Sequence, residues 1–353
     1  MPSPPVLSTF LSGVKEAFLE ELNAGSSLEK WVVVVGNEAG DLDSIASAIG
    51  YAFYASQVET SRQFVPLVLT ARSDLYLRPE NLEVLFGSQI SHSDLFCIND
   101  VADPARLSSL GASFALVDHN VLLPLFGPGK VTAIIDHHAD ENAHLSASPR
   151  LIRPVGSCSS LVTYHFRNLL PQPASVPATL ADLLLAAVII DTSLKPIPEG
   201  KAAAEDVDSA TFLIPFSKFV ALPSTWVKDV SKELAQIKGD VAGLSGRDLL
   251  RRDYKEYQVG IWRYGIATIP VPLSIWLAKS STQENGWTLV QSDVEAYAKE
   301  HGLSMVVALT TYNTVDSSKK SGKGKHAREM LIHIADGALE PVFEQLENDD
   351  TLK

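Results

Sequence analysis

Asn37-Glu38-Ala39-Gly40-Asp41-Leu42-Asp43-Ser44, Asp118-His119-Asn120, Asp136-His137-His138 and Asp191-Thr192 each follow or close a hydrophobic run. Carboxylates and imidazoles are ligands of divalent cations, and the ends of buried strands are where an open α/β sheet gathers its functional groups. Asp41 and Asp43, two apart in one turn, can face two different ions, and Asn37 offers an amide oxygen just before them. Asp118, after Phe114-Ala115-Leu116-Val117, is the natural bridging carboxylate. Consecutive histidines on an extended chain point in different directions, so His137 and His138 can serve a metal and a substrate oxygen. Asp136 would then orient an imidazole through its second nitrogen. Asp191 ends the apolar run Leu183 to Ile190, where a carboxylate must be paired or coordinated to be tolerated.

Each residue alone has a plainer reading. Asp43 or Ser44 would cap a helix, Asp118 would sit in a turn, and Asp191 would mark a helix end facing water. These readings explain one acid after one apolar run, not several. A carboxylate-dominated set with one or two imidazoles suits Mg2+ or Mn2+ rather than thiolate-bound zinc. Two such ions sharing a carboxylate can activate a water and clamp a phosphoryl group. Gly156-Ser157-Cys158-Ser159-Ser160 could present N–H groups to a phosphate or simply begin a helix. Cys158 has no base placed beside it by the sequence and is not a convincing nucleophile.

Five runs read as strands: Trp31 to Gly36, Phe64 to Thr70, Asp94 to Ile98, Phe114 to Val117 and Val131 to Ile135. Helical patterns cover Leu7 to Leu22, Ser44 to Ala55, Ser159 to Leu169, Ala178 to Ile190 and Ala202 to Leu213. The alternation predicts an α/β fold, a mostly parallel sheet with helices on both faces. Beyond Pro215 and Pro223 the texture becomes a mixture of helix and strand, as in a smaller α+β domain. The expected division is residues 1–215 for metal binding and catalysis and 216–353 for substrate, with the active site in the cleft.

The 353 residues are 46% hydrophobic and 20% charged, ordinary for a folded protein, and two cysteines make no disulfide framework. A formal net charge of −13 argues against nucleic-acid binding. Positive charge gathers locally in Arg247, Arg251, Arg252 and Lys255, and again in Lys319, Lys320, Lys323, Lys325, His326 and Arg328. Such a wall can hold an anion. Met1-Pro2-Ser3-Pro4-Pro5 has no signal-peptide character, and Leu183 to Ile190 is too short to span a membrane. The cytoplasm is the expected compartment, with no membrane partner.

The four motifs resemble the DHH phosphoesterase superfamily, whose signature reads Asp136-His137-His138 in this chain. The block Gly36 to Ala48 and the segment Gly156 to Ser160 are most similar to the fungal cytosolic exopolyphosphatases, related to family II inorganic pyrophosphatases and the prune proteins. The resemblance covers nearly the whole chain. It implies removal of terminal orthophosphate from polyphosphate with two divalent ions, Mg2+ or Mn2+ (Co2+ a further candidate), in a monomer or weak oligomer. By position, Asn37, Asp41 and Asp118 would hold one ion and Asp43, Asp118, His137 and Asp191 the other. Asp118, His138, Asp41 and Asp43 would be catalytic, and His138, Lys255, His326 and Arg328 would meet substrate. Hydrolysis of short substrates such as pyrophosphate, tripolyphosphate, nucleoside tetraphosphates or cyclic nucleotides is an alternative, as is a regulatory, partner-binding role. One departure matters: the pyrophosphatases have histidine at the position of Asn37. An amide oxygen is a harder, weaker ligand, which predicts looser metal binding there and tolerance or preference for Mg2+.

Overall fold

Val32-Val33-Val34-Val35 carries β-branched side chains at every position, which suits a strand buried on both faces. In the computed structural model that strand is β1 (Trp31–Val35), with every residue buried. Its residues alternate between two cores: Val32 and Val34 join one, Trp31, Val33 and Val35 the other. The structure describes residues 6–171, 176–221, 225–280, 286–315 and 323–348. The chain forms two compact units, Met1–Lys238 and Gly239–Lys353.

In the first unit, β2 (Gln63–Val68), β3 (Phe96–Cys97), β4 (Ser113–Val117), β5 (Lys130–Asp136) and β6 (Arg150–Ile152) join β1 in a parallel sheet of order β3-β2-β1-β4-β5-β6. The chain moves outward from β1 to β3, then returns to β4 and moves the other way. The reversal lies between β1 and β4, and the crevice at the carboxyl ends of such strands is where this architecture binds ligands. Asn37 to Asp43 follows β1 and Asp118 follows β4, so both flank that point.

Helices cover the sheet: α1 (Val6–Ala24), α2 (Leu42–Val58), α3 (Pro79–Gly87), α4 (Ala105–Ser109), α5 (Cys158–Phe166), α6 (Ala178–Thr192), α7 (Ala204–Leu213) and α8 (Trp226–Gly239). No described helix is long and apolar enough to cross a membrane. Helix α6 is buried on all sides, with Leu183, Leu184, Leu185, Val188 and Ile189 fully enclosed. Asp182 near its start accepts a hydrogen bond from the Lys218 N–H at 2.9 Å. The helix runs through Asp191 to Thr192 rather than stopping before it.

The division between units lies at 238/239, later than the expected 215. Helix α8 accounts for the difference: its Trp226 and Leu234 are buried in the first unit's core, and Trp226 stacks on Phe219 with centroids 4.5 Å apart. The expected strand at Asp94 to Ile98 shrinks to Phe96–Cys97. Asp94 is occupied instead by hydrogen bonds from Ser8, Ser12 and the Ser91 N–H.

The second unit has α9 (Gly246–Arg252), β7 (Tyr254–Val259), β8 (Trp262–Ile269), α10 (Leu273–Ser280), α11 (Gly286–His301), β9 (Met305–Thr310), β10 (Tyr312–Val315), β11 (Lys323–Ala327), β12 (Met330–Ile334) and α12 (Glu340–Glu347). A mixed sheet of order β12-β9-β8-β7 has a parallel β8–β9 pair spanned by α10 and α11, while β10 and β11 form a separate ribbon. Trp276 is fully buried and donates from Nε1 to the Gly246 carbonyl at 3.0 Å, joining α10 to α9.

Candidate metal centre

The turn after β1 is compressed onto the start of α2. A side chain at Gly36 would place Cβ 2.9 Å from the Ser44 carbonyl oxygen, so glycine permits the approach. Asp41 caps α2 by accepting from the Ser44 N–H at 3.0 Å, the role expected of Asp43 or Ser44. This frees Asp43, in the first turn of the helix, for other partners.

Asp118 is at φ 64°, a left-handed conformation that Asp tolerates better than most residues. Its carboxylate is 2% exposed. Oδ2 accepts from Ser44 Oγ at 2.5 Å and Asn37 Nδ2 at 2.6 Å. Oδ1 faces two imidazoles, His137 Nε2 at 3.0 Å and His138 Nδ1 at 3.6 Å, and among the described residues no further partner reaches it. Ligand atoms of Asp118, His137 and His138 all lie within 4.8 Å of one another. A buried oxygen facing imidazole nitrogens fits a divalent cation of the Mg2+, Mn2+ or Zn2+ class.

The two histidines are held differently. His137 Nδ1 lies 3.1 Å from the Val155 carbonyl, which leaves Nε2 toward Asp118 and, at 3.9 Å, Asp43. His138 Nδ1 lies 2.9 Å from Asp136 Oδ1, and its ring stays 45% exposed. Asp136 therefore orients His138, while a backbone carbonyl orients His137. Asp136 also accepts from the N–H groups of both histidines and from Asn120 Nδ2 at 2.5 Å. Burial would raise its pKa, but the bonds from His138 and Asn120 hold it down at about 2.

Asp43 is 2% exposed and is bound by the N-terminus of α5. It accepts from Ser157 Oγ at 2.7 Å, the Cys158 N–H at 2.6 Å and the Ser159 N–H at 2.9 Å. Asp206, fully buried, accepts from the N–H groups of Gly156, Ser157 and Ala203. The Gly156 to Ser160 segment thus spends these N–H groups on the protein's own carboxylates, and of its two readings the plain helix start is the one the structure has. Cys158 is buried, and desolvation with the Asp43 charge pushes its thiol well above the ordinary range, an inert cysteine.

Asp191 joins the group electrostatically. Desolvation, then the charges of Asp43 and Asp41, push its carboxyl well above the usual range, and Lys238 acts in the opposite direction. Burial, reinforced by Asp41 and Asp43, pushes Asp118 to about 6. Burial opposes a charge on His137, yet Asp118 and Asp43 hold its pKa at about 10. Crowded acids sharing a proton with an imidazole are what a polyvalent cation would neutralise.

Ser44, Asn120 and Asp206 were not singled out as ligand-positioning residues by sequence reasoning. Asn120 lay within a recognised motif, whereas Asp206 carries no signal beyond being an acid in the first turn of a helix.

Lys255, His326 and Arg328 belong to the second unit. Lys255 is half-buried on edge strand β7; His326 is on β11, its Nδ1 3.0 Å from the Tyr312 carbonyl; Arg328 is exposed just beyond it. The expected basic wall around Lys255 is largely engaged within the unit. Arg247 pairs with Glu300, Arg251 with Asp248 at 3.4 Å, and Arg252 is buried. Lys319 and Lys320 lie outside the described residues.

A family model described as the DHH family, N-terminal domain, matches residues 31–188, and one described as the DHHA2 domain matches residues 232–353. The chain is 37% identical over 252 residues to a Schizosaccharomyces pombe protein named "Putative exopolyphosphatase", covering 67% of this chain and 63% of that protein. It is 31% identical over 287 residues to Exopolyphosphatase PRUNE1 of Homo sapiens, covering 79% and 59%. A "Probable manganese-dependent inorganic pyrophosphatase" of Streptococcus thermophilus is 30% identical over 179 residues, covering 49% and 51%. The chain spans about three-fifths of the length of the first two of these relatives. The fold is shared with a Methanococcus jannaschii structure described as a "putative family II inorganic pyrophosphatase", at TM-score 0.60 and 22% identity over 91% of both chains. With a DHH domain followed by a DHHA2 domain, and with Asp136-His137-His138 at the end of β5, the chain belongs to the DHH phosphoesterase superfamily.

Proposed function

We propose that this protein is an exopolyphosphatase, hydrolysing terminal orthophosphate from inorganic polyphosphate with two divalent cations, Mg2+ or Mn2+. The observation that carries this reading is the buried Asp118 carboxylate facing His137 and His138 at the sheet's switch point. The relatives named exopolyphosphatase support the choice of substrate. Asn37, Asp41 and Asp118 would hold one cation; Asp43, Asp118, His137 and Asp191 the other. Bound there, the cations would supply Lewis-acid charge and lower the pKa of a water.

The chain's own residues do the rest. Ser44 and Asn37 hold Asp118 in one orientation, and the α5 amides hold Asp43. His138, with Nδ1 tied to Asp136, turns its other ring nitrogen to the terminal phosphate and neutralises charge on its oxygens. Lys255, His326 and Arg328 bind further phosphates along the chain. Cytoplasmic polyphosphate is the expected substrate pool.

Phosphate release from long polyphosphate, tripolyphosphate and pyrophosphate, and AMP formation from cAMP, with Mg2+ or Mn2+, test the reading. Polyphosphate and tripolyphosphate are expected to turn over fastest, with Asp118→Ala inactive. A clear preference for pyrophosphate or cAMP would replace this reading with a short-substrate hydrolase. No metal-dependent turnover of any of the four by folded protein would favour a regulatory role.

A further inference from the structure

The turn carrying Asn37 and Asp41 is gripped from behind by two buried side chains. Arg78, 5% exposed, donates from Nε to the Ala39 carbonyl at 3.0 Å. Asn81, 2% exposed, donates from Nδ2 to the Gly40 carbonyl at 2.8 Å. Within the turn, Asn37 Oδ1 accepts from the Ala39 N–H at 2.9 Å, and the Asn37 carbonyl accepts from the Gly40 N–H at 3.2 Å. Gly40 has φ +57°, and a Cβ there would lie 2.1 Å from Thr70 Oγ1, so only glycine suits this place in the turn.

Arg78 Nη1 is 3.6 Å from Glu80 Oε1, and Glu80 is only 1% exposed. A buried ion pair is seldom a source of stability relative to apolar packing, so its position behind this turn asks for another reason. The turn's two ends carry the side chains assigned above to one cation. Asp43, assigned to the other, is held independently by the N-terminus of α5.

We propose that Arg78 and Asn81 are positioning residues that clamp the Asn37–Asp41 turn and set the affinity of the cation bound there far more than that of its neighbour, which shares only Asp118 with it. This rests on the two-cation reading. Groups that orient metal ligands from behind change affinity by about 10- to 100-fold when removed.

The test is Mn2+ titration of chelator-stripped, full-length protein by calorimetry, for wild type, Arg78→Lys and Asn81→Ala, with thermal melts to establish folding. Wild type should show two binding phases. In each variant one phase should weaken by about 10- to 100-fold while the other moves by less than about threefold. At saturating Mn2+, turnover should return to near the wild-type rate, a recovery that loss of the fold would not show. Two unchanged phases in both variants would overturn the proposal, as would equal weakening of both phases. Asn81→Ala carries the test if Arg78→Lys does not fold. Fewer than two phases in wild type would overturn the two-cation reading and this proposal with it, whereas two wild-type phases with unaffected variants overturn the clamp alone.

Discussion

Asn37 donates from Nδ2 to Asp118 Oδ2 at 2.6 Å, so the amide that precedes the acidic turn is a partner of the central carboxylate. Its own oxygen already accepts from the Ala39 N–H. An oxygen serving an N–H and a cation together is a weak ligand. Wild-type protein is expected to lose Mn2+ on gel filtration and to turn over with Mg2+, and Asn37→His to bind Mn2+ about tenfold more tightly. Retention of Mn2+ by the wild type and no gain in the variant would rule this out.

Cation binding should release protons. With His137 held at about 10 and Asp118 at about 6, the metal-free site carries at least one proton at neutral pH. A cation must displace it, so affinity should rise from pH 6 to 8, by about tenfold per pH unit for each proton released. Calorimetry in buffers of different ionisation enthalpy reads the proton count directly. An affinity independent of pH would contradict the assignment of His137 as a ligand.

Two acids of the same pocket should have opposite effects on the stability of metal-free protein. Asp43→Ala removes the acceptor for Ser157, Cys158 and Ser159 and is expected to cost about 3 kcal/mol in urea unfolding. Asp191 has a raised pKa, so its contribution is present below the unfolded value of about 3.9 and is lost as pH rises through the folded value. Asp191→Asn should therefore raise the melting temperature at pH 7 by a few degrees when chelator is present. A lower melting point would show that its carboxylate is satisfied without metal.

Asp118→Asn keeps the shape of the side chain and removes its charge. Turnover should fall by about a thousandfold, and the stabilisation that Mn2+ gives the wild type in thermal melts should disappear. A variant still stabilised by Mn2+ would place the cation elsewhere.

The acidic turns were legible because each follows a run whose pattern fixes its direction. Val32 to Val35 and Phe114 to Val117 are short and rich in strand-favouring residues, so they read as buried strands, and parallel strands deliver their following residues to one edge. Who holds whom was not legible. Asp43 is bound by residues 157 to 159, more than a hundred positions away, and nothing local distinguishes those amides from any helix start. Strand β6 was missed because Arg150-Leu151-Ile152 is too short to show a pattern. Helix α9 was missed because its arginines look like a surface charge cluster, although Leu249, Leu250 and Arg252 are buried.

Helix α6 is greasy on every side, and such a rod has little reason of its own to prefer one register over another. A slip of one residue would advance it about 1.5 Å and turn it about 100°. Asp182 and Asp191, nine positions apart, are its fixed marks, the first tied to the Lys218 N–H and the second set among the acids of the pocket. The helix therefore works as an indexed shaft, in which a hydrogen bond at one end sets the angle of a carboxylate at the other.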